Sequence, residues 1–178
     1  MITVGATVTV DKVSKIWEEL KVLADKRVLV GVTEDTSGRP DGKMTNAFLA
    51  YIHDNGAPSR GIPARSFMKP GIAKAQGRIN REMRLAAKSF IDGNTSEGTL
   101  ALHRAGMVAQ NSIRMVISKG EGFAPLKRGT LLGRMRRRKY LYKKLYKSQR
   151  ELYMASFKPL IDTGELLKSI SYQVEEGS

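Results

Sequence analysis

Apolar positions recur along this chain with two different periods, and the change of period marks the elements. Ile2, Val4, Val8 and Val10 alternate with Thr3, Thr7 and Thr9 around Gly5-Ala6, which predicts one or two short strands. Asp11 is a candidate N-cap for the next segment. Val13, Ile16, Trp17, Leu20 and Leu23 then step by three or four, so an amphipathic helix is expected over 12–25. Trp17 on that stripe reads as core rather than as an interface anchor. Arg27-Val28-Leu29-Val30-Gly31-Val32 reads as a short strand buried on both faces. Residues 33–43 are polar and rich in turn formers, with Pro40, Asp41 and Gly42 together. The acids of this loop do not have the spacing of a calcium loop.

Thr45 is expected to cap a helix running to about Asp54, burying Phe48, Leu49 and Ile52. A connector with many fixed backbone positions comes next. Gly56 suits a left-handed helix end, and Pro58 prevents the helix from resuming. Gly61 and Pro63 bracket a second turn, with Ile62-Pro63-Ala64-Arg65 extended. Pro70 fits the first turn of a new helix. Phe67 and Met68 are expected to pack against a core from this corner.

Ile72, Ala75, Ile79, Met83, Ala86 and Phe90 predict a long amphipathic helix over 70–91, with Lys74, Arg78, Arg81, Arg84 and Lys88 off its apolar stripe. Asp92-Gly93-Asn94 ends it, and Asn94 or Ser96 caps the next. That helix carries Leu102, Ala105, Ala109, Ile113, Val116 and Ile117, and its Gly106 and Ala109 would admit a neighbouring helix closely. Lys119-Gly120-Glu121-Gly122 stops it. A further helix is expected over about 138–155, a short one over 165–168, and a last strand over 169–174 before an acidic tail. These elements predict an α+β fold: one domain over 1–178, with a small, mostly antiparallel sheet packed on three to four helices. Residues 127–158 would be a basic helical extension or insertion.

Composition changes this picture in one place. The 178 residues carry a formal net charge of +14. Twelve bases and one acid, Glu151, fall within 127–158, so this segment holds +11 of that charge. Tyr140, Tyr142, Tyr146 and Tyr153 are interleaved with the bases. Such a segment repels itself unless something negative lies near. Arg134, Arg136, Arg137, Arg138, Lys139, Lys143, Lys144, Lys147 and Arg150 are therefore the candidate partner- or DNA-binding residues. The partner side is open between DNA, an acidic protein surface and plain solvent. The segment is expected to order only when its partner arrives.

Little else points to chemistry. The chain has no cysteine, which leaves no disulfide framework and no thiolate site. No apolar run approaches a membrane span, and the N-terminus lacks a basic n-region. His53 and His103 have no second ligand type at helical spacing, so both read as structural and no metal or other cofactor is expected. No Gly-x-Ser-x-Gly elbow or phosphate-binding loop appears. Asp162-Thr163-Gly164 matches the aspartic-protease triplet once only. It reads better as a helix start, with Asp162 or Thr163 as N-cap and Glu165 closing a capping box.

Three stretches carry a family resemblance. Gly61-Ile62-Pro63-Ala64-Arg65-Ser66-Phe67 resembles the "Gly-x-Ile-Pro-x-Arg-Pro-Phe" signature of tailed-phage virion-morphogenesis and tail-completion proteins, with Ser66 in place of the usual proline. Pro159-Leu160-Ile161-Asp162-Thr163-Gly164-Glu165-Leu166-Leu167-Lys168-Ser169-Ile170 is similar to that family's "Pro-Leu-x-Asp-Thr-Gly-x-Leu-x-x-Ser-Ile" ending. Ala124-Pro125-Leu126-Lys127-Arg128-Gly129-Thr130 is a weaker third match. Together they cover most of the chain from about Val28 to Val174. The resemblance implies a structural virion protein at the head–tail junction, in tail completion, as a neck component or as a tail terminator. It implies no catalytic step and a homo-oligomeric ring, hexamer or dodecamer. The implied partners are other phage neck, portal-side or tail-tube proteins, with duplex DNA in the channel and no membrane contact. The implied location is the virion, after assembly in the host cytoplasm. The residues also suit a second reading, a free nucleic-acid-binding protein. There Lys and Arg would neutralise phosphates and tyrosines would stack on unpaired bases.

Overall fold

The computed structural model describes residues 13–33, 38 and 44–176, with the backbone alone at 15, 139, 141 and 142. The strands expected within 2–10, and most of the 33–43 loop, lie outside the described residues. The fold is α+β. Helix α1 (Val13–Ala24) leads into strand β1 (Lys26–Val32), then α2 (Asn46–Asn55) and a short 3-10 turn (Pro58–Arg60). Two long helices come next, α3 (Met68–Ile91) and α4 (Thr95–Lys119). The basic segment forms α5 (Arg128–Arg137), α6 (Lys139–Lys144) and α7 (Lys147–Ala155). Helix α8 (Glu165–Ser169) passes directly into β2 (Ile170–Glu176). Among the described residues, no helix is long and apolar enough to cross a membrane.

Helices α3 and α4 form an antiparallel hairpin, brought close by glycines at both ends. A Cβ on Gly71 would lie 2.7 Å from the Ile113 backbone, and one on Gly98 would lie 2.6 Å from the Phe90 ring. The Ser112 hydroxyl donates to the Gly71 carbonyl at 2.6 Å across the first of these contacts. The expectation that Gly106 admits a helix is corrected. It lies under the Tyr172 ring of β2, where a Cβ would stand 2.3 Å from Cδ2. The caps expected at Thr45 and Asn94 are present: Thr45 Oγ1 accepts from Phe48 N at 3.2 Å, and Asn94 Oδ1 from Glu97 N at 3.1 Å.

Strands β1 and β2 pair antiparallel, with Val28 opposite Val174 and Val32 opposite Ile170. Val28, Val30 and Val32 turn towards the helix hairpin, while Leu29 on the other face is 45% exposed. The expectation of burial on both faces is therefore corrected. A strand alternates sides, and the second side is covered only in part: Met68 lies near Gly31, while Leu29 stays open. Trp17 is corrected as well. It is 61% exposed, as α1 packs Leu23 against the Phe90 cluster and leaves Val13 open, with Ile16 and Leu20 only partly covered.

The main core gathers Phe67, Ile113, Ile117, Leu160, Leu166 and Ile170, and Phe67 is fully buried as expected. The single helix expected over 138–155 is broken. Arg138 leaves helical geometry, and the chain breaks again before Lys147. Gln149 Oε1 accepts from Tyr146 N at 3.0 Å and starts α7 afresh. Met135 and Met154 are buried, so part of the basic segment has folded contacts within the single chain.

Candidate functional site: a cationic crevice where three segments meet

The connector after α2 is built as its residues dictate. Gly56 has φ 80° and ψ 174°, so the positive φ expected there holds, but with an extended ψ that is essentially open to glycine alone. Gly61 is left-handed at φ 62°, and Ala57 bridges to Ile62. The chain leaves this turn without regular secondary structure and enters α3 at Met68. Asp54 fixes that entry from the preceding helix. Its Oδ1 accepts from Phe67 N at 2.7 Å, Met68 N at 3.1 Å and the Ser66 hydroxyl at 3.2 Å. A carboxylate there satisfies open N–H groups and complements the helix dipole.

Arg65 is 6% exposed. Its Nε donates to the Ala124 carbonyl at 2.7 Å and its Nη2 to the Pro125 carbonyl at 2.9 Å. Arg134, on α5, donates through Nη1 to the carbonyls of Lys158 and Ile161, both at 2.8 Å. Arg114, on α4, does the same for β2, reaching the Ile170 carbonyl at 2.6 Å and that of Lys168 at 3.2 Å. Arg65 and Arg134 thus each tie an irregular stretch whose carbonyls have no ladder to enter, while Arg114 braces the passage from α8 into β2. The three stretches with the family resemblance, around Gly61–Phe67, Ala124–Thr130 and Leu160–Gly164, are brought to one place by Arg65 and Arg134.

Two small cavities open at this junction. One, of about 200 Å³, is lined by His53, Pro63, Arg65, Lys127, Thr130 and Arg134 among others. The second, of about 180 Å³, shares His53, Arg134 and Leu160 with it and adds Asp162, Thr163 and Glu165. Leu160 between them has φ 65°, the left-handed conformation that a non-glycine residue rarely adopts. Burial holds the His53 imidazole below its usual pKa, and the nearby Arg65 and Arg134 push it the same way. Its Nδ1 is buried without a hydrogen-bond partner. Burial also lowers Arg65 and Arg134, with Asp162 opposing this at Arg134; both remain guanidinium ions.

The expected binding residues divide. Arg134 is turned inward, its side chain 10% exposed, and does not belong to an outer surface. Arg137 pairs with Asp162, and Arg138 donates to the Tyr153 hydroxyl at 2.6 Å while lying over the Tyr153 and Phe157 rings. Tyr153 is thereby occupied within the chain. Lys144 lies over the exposed Tyr140 ring. Arg136, Lys143 and Lys147 are exposed, Arg150 is half-buried, and of Lys139 only the backbone is described. The capping box expected at Asp162 is corrected. α8 does start at Glu165, but Gly164 is its N-cap, with Thr163 Oγ1 3.4 Å from Glu165 N, and Asp162 is drawn to Arg137. His103 stands edge-on to Tyr172. Among the described residues, no three His, Cys, Asp or Glu side chains are grouped to hold a metal ion.

Sequence reasoning missed Arg65, Arg114 and Asp54. The available signal was a lone charged group set among residues of fixed backbone or on an apolar helix stripe. Compared with protein-family models, with curated proteins and with solved structures, the chain matches none.

Proposed function

We propose that this chain is a structural subunit of a tailed-bacteriophage virion that acts at the head–tail junction and assembles as a ring. The observation that supports this reading is the meeting of the three resembling segments at one arginine-tied junction, Arg65 alone bridging residues 59 and 60 positions apart. Residues set this way fix the shape of a subunit rather than present a reacting group. The exposed apolar surface of α1, β1 and α3, with Trp17, Leu29, Ile72 and Met83, offers area that assembly would bury. Electron microscopy of the purified protein, alone and with virions, tests the proposal. Rings with a central opening, located at the neck or tail end, are the expected result. A protein that stays monomeric at high concentration and is missing from virions overturns it.

A second reading has its own observation. Arg136, Lys143 and Lys147 are exposed beside the exposed rings of Tyr140 and Tyr146, as a nucleic-acid surface requires. Duplex affinity that falls steeply with salt in a monomeric protein would favour it.

A further inference from the structure

The cavity under the Gly61 turn has an electrostatic composition that the proposed function leaves unused. Arg65, Lys127 and Arg134 line it, and no carboxylate does. Arg65 is almost fully buried, yet its partners are two neutral carbonyls rather than an acid. A buried cation without a counter-charge is expensive, and an anion beside it offsets that cost. Lys127 also serves this cavity. Its ammonium lies against Gly61, close enough that a Cβ there would stand 2.8 Å from Nζ. Lys127 is the N-cap residue of α5, which no side chain caps and which has no acid in its first turn. The positive end of that helix is therefore open at the same place.

Two neutral groups complete the wall. Thr130 supplies a hydroxyl. His53 supplies a buried Nδ1 with no partner, so a ring carrying its proton there has a donor to give. The cavity's size narrows the ligand. At about 200 Å³ it is smaller than the ~300–1,000 Å³ of sites for drug-sized ligands. It is several times the ~30 Å³ share of one water.

We propose that this crevice is an oxyanion site that takes one phosphate group, held by Lys127, Arg65 and Arg134 with His53 and Thr130 donating beside them. Arg134 shares its charge with Asp162, Nε to Oδ1 3.7 Å, so the charge of the site rests mainly on Lys127 and Arg65. Two such cations match a doubly charged tetrahedral group better than a singly charged carboxylate. The phosphate is either free or carried on a larger molecule, since the cavity is open on one side. The site stands on its own geometry and does not depend on the virion reading.

The chain has two histidines, which makes the test direct. The ring signals of His53 and His103 are followed by NMR in the full-length protein during titration with inorganic phosphate, against sodium chloride at matched ionic strength. The expected result is a saturable shift of His53 alone. Lys127→Gln should weaken the apparent affinity roughly ten-fold, the worth of one charge-assisted hydrogen bond. Lys147→Gln, on the exposed surface, should leave it unchanged. A 5′-phosphorylated oligonucleotide that shifts His53 at lower concentration than its unphosphorylated form supports a carried phosphate. Equal effects of the two, with saturation by inorganic phosphate, support a free one. Acetate binding tighter than phosphate overturns the phosphate assignment. So does a His53 response no larger than that to chloride, or an equal loss in both lysine variants.

Discussion

The arginines of the junction and the bases of the α5–α7 surface have the same charge and opposite uses. Arg65, Arg114 and Arg134 point inward, and each donates to two main-chain carbonyls. Arg136, Lys143 and Lys147 point outward. The inward group is all arginine, because a planar fork of donors reaches two carbonyls from one rigid group, which an ammonium on a flexible stem does less well. Net charge alone therefore says little about a basic segment. Arg134 and Arg136 stand two residues apart on one helix, yet one ties 158–161 to the body and the other meets solvent. Their directions around the helix axis separate the roles.

The largest effect expected from breaking this contrast is at Arg65. Arg65→Met keeps much of the volume but leaves two carbonyls without their charged donor, at a cost of about 3–5 kcal/mol. Urea unfolding followed by circular dichroism reads this directly. A loss below about 1 kcal/mol would show that water replaces the guanidinium and that the tie is not structural. Asp54→Ala ranks next. It removes the acceptor of three donors at the start of α3, and a loss of about 2 kcal/mol is expected in the same assay.

Protonation probes the junction more gently. The folded chain holds His53 below its ordinary pKa, through burial first and then Arg65 and Arg134. The unfolded chain thus binds its proton more readily. His53 contributes stability that is present above the ordinary histidine pKa and is lost as pH falls through and below it. Melting temperature should fall as pH is lowered through that range, and His53→Gln should flatten the slope. An unchanged slope in that variant would place the imidazole outside the cationic field.

The smallest effect on stability is expected at the outer surface. Arg136→Gln, Lys143→Gln and Lys147→Gln should each change stability by no more than ~0.5 kcal/mol. If this surface meets phosphates, duplex affinity in the triple variant should lose up to about 0.9 of log–log salt slope for each contact removed. Filter binding across a salt series measures this. A triple variant that unfolds as Arg65→Met does would erase the distinction between the two groups.

Much of the fold is legible in the sequence because its causes are local. The stripes on α3 and α4, the caps at Thr45 and Asn94, and the turn at Gly61 each come from residues within a few positions of one another. The junction is less legible. Phe67 is marked for the core by its place in a rigid corner, while Arg65, two residues away, has partners about 60 positions downstream. His53 reads as structural from sequence; its orphaned Nδ1 and its cationic neighbours appear only once α2, the connector and α5 are brought together.

Local periodicity and backbone preference thus determined the α+β class, the two long helices and the stiff connector from the sequence alone. Only the tertiary structure decided that Trp17 and Leu29 stay open, that Asp162 meets Arg137 instead of capping α8, and that Arg134 turns inward. Helix and strand propensity act over a few residues of chain. The burial of a side chain and the partner of a charge depend on which surface, from anywhere in the chain, comes to lie against it.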